Sequence, residues 1–170
     1  MTCLALLLTQ PAAAQQPGMG RGWLSEFDHA ANQLVALAEA IPAEKFSWRP
    51  GPGVRSTSEV FMHIAVGNYW LLGQAGAKLP ENSPKVPANP EKAVTEKTEV
   101  IGWLKGSIEA ARHAYPVTDK SKAVRFFGGD ATSGDVFLRL LVHNHEHMGQ
   151  SIAYARMMGV RPPWSKSGSE

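Results

Sequence analysis

Four separate stretches of the chain repeat apolar residues every three or four positions, which is the period of an α-helix. The expected helices run over about residues 23–41, 56–77, 91–114 and 132–158. The clearest stripe consists of Trp23, Phe27, Ala30, Leu34, Leu37 and Ile41. No convincing sheet is evident, and the only extended structure expected is one short piece around residues 124–127. The pattern predicts an all-α fold, a four-helix bundle.

Capping and breaking residues mark the ends of these helices. Ser56 or Thr57 can cap the second helix, and Glu59 stands at capping-box spacing from Ser56. Gly159, followed closely by two prolines, is a natural end for the fourth. The proline-rich connection over residues 80–90 is long enough to cross an end of the bundle, which favours a topology other than simple up-down-up-down.

Composition places the chain among single-domain globular proteins. Its 170 residues suffice for one proper core, and 44% hydrophobic against 19% charged residues is typical of a folded chain. The formal net charge of +2 comes without any cluster of Lys and Arg, so no nucleic-acid partner is expected. No segment has the run of about 20 apolar residues that a membrane span requires. We expect one domain.

Residues 1–16, MTCLALLLTQPAAAQQ, differ from the rest of the chain. An apolar run from Leu4 to Leu8 precedes Ala12-Ala13-Ala14, as in the h-region and cleavage site of a secretory signal, although the usual basic residues are missing. A signal predicts a periplasmic or secreted protein; the alternative is a disordered apolar tail on a cytoplasmic one. Because Cys3 is the single cysteine and lies here, a mature protein would have neither a disulfide nor thiol catalysis of its own.

The stretch LVHNHEHMGQ, residues 141–150, places three histidines and a glutamate within five positions. On a helix, residues four apart differ in direction by about 40° and residues two apart by about 200°. His143 and His147 therefore project together, in phase with a core-facing apolar stripe, whereas His145 points to nearly the opposite side. An inward-facing pair of this kind is a standard chelating geometry for a first-row transition metal; two exposed or hydrogen-bonded histidines are the alternative.

A third metal ligand would have to come from another helix. His63, in SEVFMHIAVGNYW, is the best candidate, because Gly67 one turn away has no side chain to obstruct a metal or a substrate. His29 is the next candidate, and its neighbours leave its orientation open. His113, near a helix C-terminus where a positive charge is favoured, is interpreted as structural.

Residues 143–147 also match HxxEH, the motif of zinc proteases in which two histidines bind the metal and the glutamate acts as general base. That chemistry requires an acidic third ligand on a helix far downstream. Glu170, at the very end, is the only acidic residue after the motif. The protease interpretation is therefore disfavoured.

Two stretches together, RSTSEVFMHIAVGNYWLL and LVHNHEHMGQSIAYARMMGVRPP, resemble the DinB family, also called DinB/YfiT-like. The family pattern has a histidine in the second helix, H-x-x-x-H followed by G-Q in the fourth, and an R-x-x-G-x-x-P type of tail; the likeness covers essentially residues 20–165. It implies an up-down-down-up bundle with a divalent metal held by His63, His143 and His147. Relatives include thiol-dependent S-transferases and a mycothiol-dependent isomerase, although an exported protein would meet few such thiols.

Three neutral histidines leave at least one coordination position open, as catalytic metal sites do. Zinc, nickel and iron(II) all accept such ligands, and the metal would activate a water, bind a thiolate or polarise a carbonyl. Glu146 is the candidate general base, with a solvated surface residue as its alternative, and Gln150 and Tyr154 are candidate pocket residues.

Two classes of function follow. The first is a metal-dependent enzyme of transferase or hydrolase type, and the second is a non-catalytic metal- or ligand-binding bundle. The expected partner is a small-molecule substrate that no sequence feature identifies, and a homodimer stays open.

Overall fold

The structure is a computed structural model that describes residues 20–81 and 83–165. The long helices are α1 (Trp23–Ala40), α2 (Thr57–Gln74), α4 (Lys97–Val117) and α5 (Ser133–Met157), and the one-turn helix α3 (Pro90–Ala93) precedes α4. A 3-10 turn (Ala43–Lys45) follows α1, and strands β1 (Ala123–Phe126) and β2 (Gly129–Thr132) precede α5. The predicted signal segment, with Cys3, lies outside the described residues.

Capping boxes start two of the long helices. At α2, the Ser56 side chain accepts a hydrogen bond from the Glu59 backbone N–H, and the Glu59 carboxylate accepts one from the Ser56 N–H at 2.9 Å. Thr132 and Asp135 make the same reciprocal pair at the start of α5. These bonds satisfy backbone donors that the first helical turn leaves without partners, and the box predicted at Ser56 is confirmed.

Two features differ from the sequence prediction. The third long helix begins at Lys97 rather than near residue 91, because the backbone of Val94 is extended (φ −115°, ψ 103°) and separates α3 from α4. The single extended piece expected before the last helix is a two-stranded antiparallel hairpin, with Phe126 opposite Gly129. Residues 129–132 lack a strand-like apolar pattern, so the sequence does not predict them as a strand. They form one because their backbone pairs with the preceding strand.

Hydrogen bonds between helices establish their relative directions. α1 and α5 are parallel: Trp23, at the start of α1, donates to the Phe137 carbonyl, and Lys45, just past its end, donates to the Met158 carbonyl. α4 is antiparallel to α1, as the pairs Asp28–Arg112 and Glu39–Lys105 show. α2 is antiparallel to α5, as the pairs Asn68–Asn144 and Ala75–Ser133 show. The order is therefore up-down-down-up, and the connection between α2 and α4 crosses the length of the bundle.

The core lies between the four long helices, with α1 and α2 each packed against both α4 and α5. Its largest fully buried side chains are Phe27, Phe61, Phe137, Leu34, Leu37, Ile41, Met62, Ile64, Leu72, Leu104, Ile108 and Leu140. Phe27, Leu34, Leu37 and Ile41 of the stripe predicted for α1 belong to this set, Ala30 is buried as well, and Trp23 is half-buried against the core. Across the described ranges, no helix combines the length and the apolar character that crossing a membrane demands.

Candidate metal centre

His63 on α2 and His143 and His147 on α5 come together where these antiparallel helices face each other. The ring centroids lie 5.0 Å apart for His63 and His143, 4.7 Å for His63 and His147, and 4.6 Å for the two on α5. One ligating nitrogen from each ring lies within 4.8 Å of the other two. The Nε2 atoms of His63 and His143 are 3.2 Å apart. The structure thus brings together the three histidines proposed from the sequence.

His63 is oriented by a carboxylate from the connection between α2 and α4. Its Nδ1 lies 2.9 Å from Glu91 Oε1, and Arg55 Nε donates to the other Glu91 oxygen at 2.6 Å. Burial opposes ionisation of Glu91, but the hydrogen bonds from Arg55 and His63 outweigh it and hold the pKa of this carboxyl below its ordinary value. An ionised Glu91 only accepts, so His63 Nδ1 carries the proton, and Nε2 is the ring nitrogen left to ligate a metal.

His147 is oriented from its own helix. Its Nδ1 lies 2.8 Å from Gln150 Oε1, and Gln150 Nε2 donates to the Tyr154 hydroxyl at 3.1 Å. The amide oxygen accepts the Nδ1 proton, which again leaves Nε2 as the free nitrogen. Gln150 and Tyr154, proposed as pocket residues, therefore act here as a chain that positions His147.

His143 is held by packing against a glycine. A Cβ placed on Gly67 would lie 2.5 Å from His143 Cε1, so the ring occupies space that only glycine leaves free on α2. The residue is 8% exposed, and its Nδ1 is buried without a hydrogen-bond partner among the described residues. The lack of a side chain at position 67 is therefore what lets this imidazole reach His63.

The environment keeps two of the rings neutral. Burial, and then the neighbouring His147 and His63, lower the pKa of His143 to about 4, and burial lowers the pKa of His147 as well. A neutral imidazole has the lone pair that a metal ligand needs, whereas an imidazolium has none. At neutral pH these histidines are ready to coordinate a cation.

A buried polar network supports the site from within the bundle. Asn144 Nδ2 donates to Asn68 Oδ1 at 2.7 Å and to the Leu140 carbonyl at 2.8 Å, and Asn68 Nδ2 donates to Ser107 Oγ at 3.2 Å. Both asparagines and Ser107 are fully buried. The network joins α2, α4 and α5 beside His143 and sets the register of α2 against α5.

The three rings fit a divalent transition metal. Two nitrogens bound to zinc at about 2.0–2.1 Å with tetrahedral angles lie about 3.4 Å apart. The 3.2 Å separation of the His63 and His143 Nε2 atoms is close to that value. Two of the three rings also have their remaining nitrogen held by a hydrogen-bond partner, an arrangement common among metal-binding histidines. No fourth His, Cys, Asp or Glu joins the group among the residues described.

The other candidate residues lie away from the three rings. Glu146 is exposed and forms an ion pair with Arg139, whose Nη1 lies 3.1 Å from Glu146 Oε1. α5 is continuous from Ser133 to Met157, so His145 keeps its place on a different face of the helix. His29, half-buried on α1, and His113, exposed on α4, both stand outside the group.

Sequence reasoning missed the part that Glu91 plays. Its position after a proline marked it as the start of a helix, and nothing local indicated that this turn would lie against His63 twenty-eight residues earlier. It also missed Trp70, Phe127 and Arg139, which share a cavity with His63 and His143. Two of these residues are aromatic side chains left partly exposed to solvent, which apolar periodicity does not identify.

Comparison with known proteins agrees with this architecture. The crystal structure of a DinB-like protein from Bacillus cereus ATCC 10987 is similar with a TM-score of 0.71 and 18% identity, over 86% of this chain and 97% of that one. A DinB-like protein from Bacillus subtilis, YjoA, is similar with a TM-score of 0.60 and 19% identity, over 81% and 91% of the two chains. No curated protein sequence matches at a significant level. The family model of the DinB superfamily matches residues 26–151, and the chain therefore belongs to the DinB superfamily.

Proposed function

We propose that this protein binds one divalent transition metal, zinc, nickel or iron(II), through His63, His143 and His147. The observation that carries the proposal is the convergence of three imidazole nitrogens, two of them on rings whose other nitrogen is held by Glu91 or Gln150. Such second partners fix the ring orientation and raise the basicity of the ligating nitrogen. Membership of the DinB superfamily supports the same assignment.

We further propose that the centre is catalytic, in a metal-dependent enzyme of transferase or hydrolase type acting on a small molecule. A metal held by three protein ligands keeps a position free, where it supplies Lewis acidity or activates a bound nucleophile. The protein's own contribution is to hold the rings, keep those of His143 and His147 unprotonated and leave one side of the site open to a cavity. A non-catalytic metal- or ligand-binding bundle is the second candidate, favoured by the exposed position of Glu146 and its pairing with Arg139.

Metal analysis of protein purified without a histidine tag tests the first proposal. Wild-type protein is expected to contain one equivalent of metal, and His63→Ala and His147→Ala to contain far less, because loss of one of three donors sharply weakens chelation. His145→Ala is the matched control and should keep full occupancy. Wild-type stoichiometry in either His63→Ala or His147→Ala would refute the site.

Glu146 is our proposed general base, although it is exposed and paired with Arg139. The hydrogen bond from Arg139 holds the pKa of the Glu146 carboxyl below its ordinary value, so the group is ionised at neutral pH, as a general base must be, but is a weaker base than a free carboxylate. In a screen of metal-loaded protein with small esters and thiols, Glu146→Gln should retain the metal and lose most of any activity found. Unchanged turnover in Glu146→Gln would leave Glu146 as a surface residue.

We propose that the protein is exported and that a signal peptide is cleaved off before the domain at residues 20–165. The proposal rests on the apolar run and the alanine stretch of residues 1–16. Mass spectrometry of protein from its native host should show a mature N-terminus near Gln15. An intact Met1 in the cytoplasmic fraction would refute export.

A further inference from the structure

A cavity of about 390 Å³ opens directly beside His63 and His143. His63, His143 and Gly67 form part of its wall, and Trp70, Phe127 and Arg139 line other parts. Its volume lies toward the small end of the range of about 300–1,000 Å³ usual for small-molecule sites. Any molecule in this cavity would therefore lie next to two of the three proposed metal ligands.

Aromatic side chains border the cavity without being buried themselves. Trp70 is 48% exposed and Phe127 is 80% exposed, and their ring centroids lie 5.6 Å apart. Trp70 lies two helical turns beyond His63, so it projects from nearly the same side of α2. Phe127 reaches it from the tip of the hairpin. Exposed rings at a concave site gain favourable free energy only when an apolar group covers them.

The backbone at Phe127 gives an independent indication. Phe127 and Gly128 are the two central residues of the hairpin turn, and both have positive φ values, 47° and 81°. Turns of this kind favour Asn, Asp or Gly at the first position, because a bulky side chain there is strained. Phe127 gains little burial in exchange for that strain, so folding alone does not account for a phenylalanine at this position.

The charges around the cavity favour a molecule that is mostly apolar. The charge of Arg139, the one Lys or Arg in the described part of the chain that lines this cavity, is matched by Glu146, so this part of the wall has little net charge. A divalent ion on three neutral imidazoles, in contrast, would keep its full double charge and attract a donor such as an anionic oxygen or sulfur. An occupant suited to both ends has a metal-binding head and an apolar body.

From these observations we propose that the cavity is a substrate subsite in which Trp70 and Phe127 hold an aromatic or branched apolar group whose head ligates the metal. The inference rests on the metal site proposed above and adds the class of substrate to it. Trp70 and Phe127 contact the substrate body and thereby set specificity.

Two hydroxamic acids with the same metal-binding head separate the parts of this proposal. Benzohydroxamic acid carries a phenyl ring and acetohydroxamic acid only a methyl group, and both are titrated calorimetrically into zinc-loaded protein. We expect the phenyl compound to bind at least about tenfold more tightly to wild type, a ratio typical of one well-placed aromatic contact. In Trp70→Ala the ratio should fall to about threefold or less, while the Kd of acetohydroxamic acid stays within about twofold.

Phe127→Asn is the more discriminating variant, because stability and binding should change in opposite directions. Asparagine suits the turn, so the protein should be as stable as wild type or more so, and yet lose much of its preference for the ring. Trp164→Ala removes an exposed tryptophan that does not line the cavity, and it should leave the ratio unchanged.

The outcomes distinguish the two proposals. If zinc and acetohydroxamic acid bind but the phenyl compound has no advantage, or keeps it in both Trp70→Ala and Phe127→Asn, the subsite is refuted and the metal site stands. If the protein takes up no zinc, the proposed function fails. In that event 4-fluorobenzohydroxamic acid is titrated into metal-free protein and followed by fluorine NMR. A shift that depends on Trp70 would still support the subsite, and no shift would overturn it.

Discussion

At the scale of single residues, Gly67 is a position in the site where a side chain has no room. Replacement by alanine would place a Cβ 2.5 Å from His143 Cε1, so the ring or the helix must move. We expect Gly67→Ala to lower zinc affinity at least about tenfold and to cost about 1–3 kcal/mol of unfolding free energy from overpacking. Competition titration with a zinc chelator and urea unfolding measure the two effects.

Gly73 provides the matched control on the same helix. A Cβ there would meet nothing within 4 Å, so Gly73→Ala should stabilise the protein by up to about 1 kcal/mol through helix propensity alone. If the two alanine variants bound zinc equally well, close packing of Gly67 on His143 would not be what positions that ring.

Glu91 is the second residue whose replacement tests the site. Glu91→Gln keeps the size of the side chain but removes the charge that orients His63 and pairs with Arg55, so zinc affinity should fall by about 10–100-fold. Glu39→Gln breaks a more exposed ion pair, with Lys105, and should leave zinc affinity unchanged. The opposite ranking of the two variants would contradict a supporting role for Glu91.

At the scale of helices, the contact of α2 with α5 depends on Asn68 and Asn144. Replacing either asparagine by alanine leaves the buried amide of the other partly unpaired. Each single variant should therefore lose about 1–3 kcal/mol of unfolding free energy. Both replacements remove the same hydrogen bond. The loss of unfolding free energy in the double variant should therefore be smaller than the sum of the two single losses, by at least about 1 kcal/mol. Urea unfolding of the four proteins measures the coupling.

Asn68 and Asn32, which do not bond each other, serve as the reference pair for that double-mutant cycle. Asn32 is exposed on α1 and bonds Arg112, so Asn68→Ala combined with Asn32→Ala should be additive within about 0.5 kcal/mol. Additivity for the Asn68 and Asn144 pair as well would show that these side chains do not act together on the register of α2 and α5.

At the scale of the whole molecule, the metal-free protein should lose stability on mild acidification. The pKa of folded His143 is about 4 against an ordinary 6.5, so between these values the unfolded chain binds a proton that the folded protein does not. Stability is therefore full above pH 6.5 and declines as pH falls toward 4, by about 3 kcal/mol at most. Urea unfolding in the presence of a chelator at pH 7 and pH 4.5 measures the loss.

His143→Gln removes the titrating group and should reduce the loss of stability between pH 6.5 and pH 4. The control His113→Gln, which replaces an exposed histidine on α4, should keep that loss. An equal loss of stability on acidification in wild type and His143→Gln would assign the effect to other groups.

Much of the helical framework and the pair on α5 could be read from the chain. The period of the apolar residues depends only on local geometry, which is why the α1 stripe and the spacing of His143 and His147 agree with the folded protein. The Ser56 capping box is local in the same sense. The sequence pattern predicts the start of α4 several residues too early, because an extended backbone at Val94 leaves the apolar period intact while breaking the helix.

By itself, the sequence determined the all-α class, the long helices and the three histidines that lie together, since these follow from spacing along the chain or from the DinB resemblance. Only the tertiary structure decided how His63 is held, because Glu91 reaches it through a connection whose path depends on packing around α2. It also decided that Trp70 on α2 and Phe127 on the hairpin border one cavity. The physical reason is that contacts between distant segments depend on how the whole core packs, and no local pattern of residues encodes that arrangement.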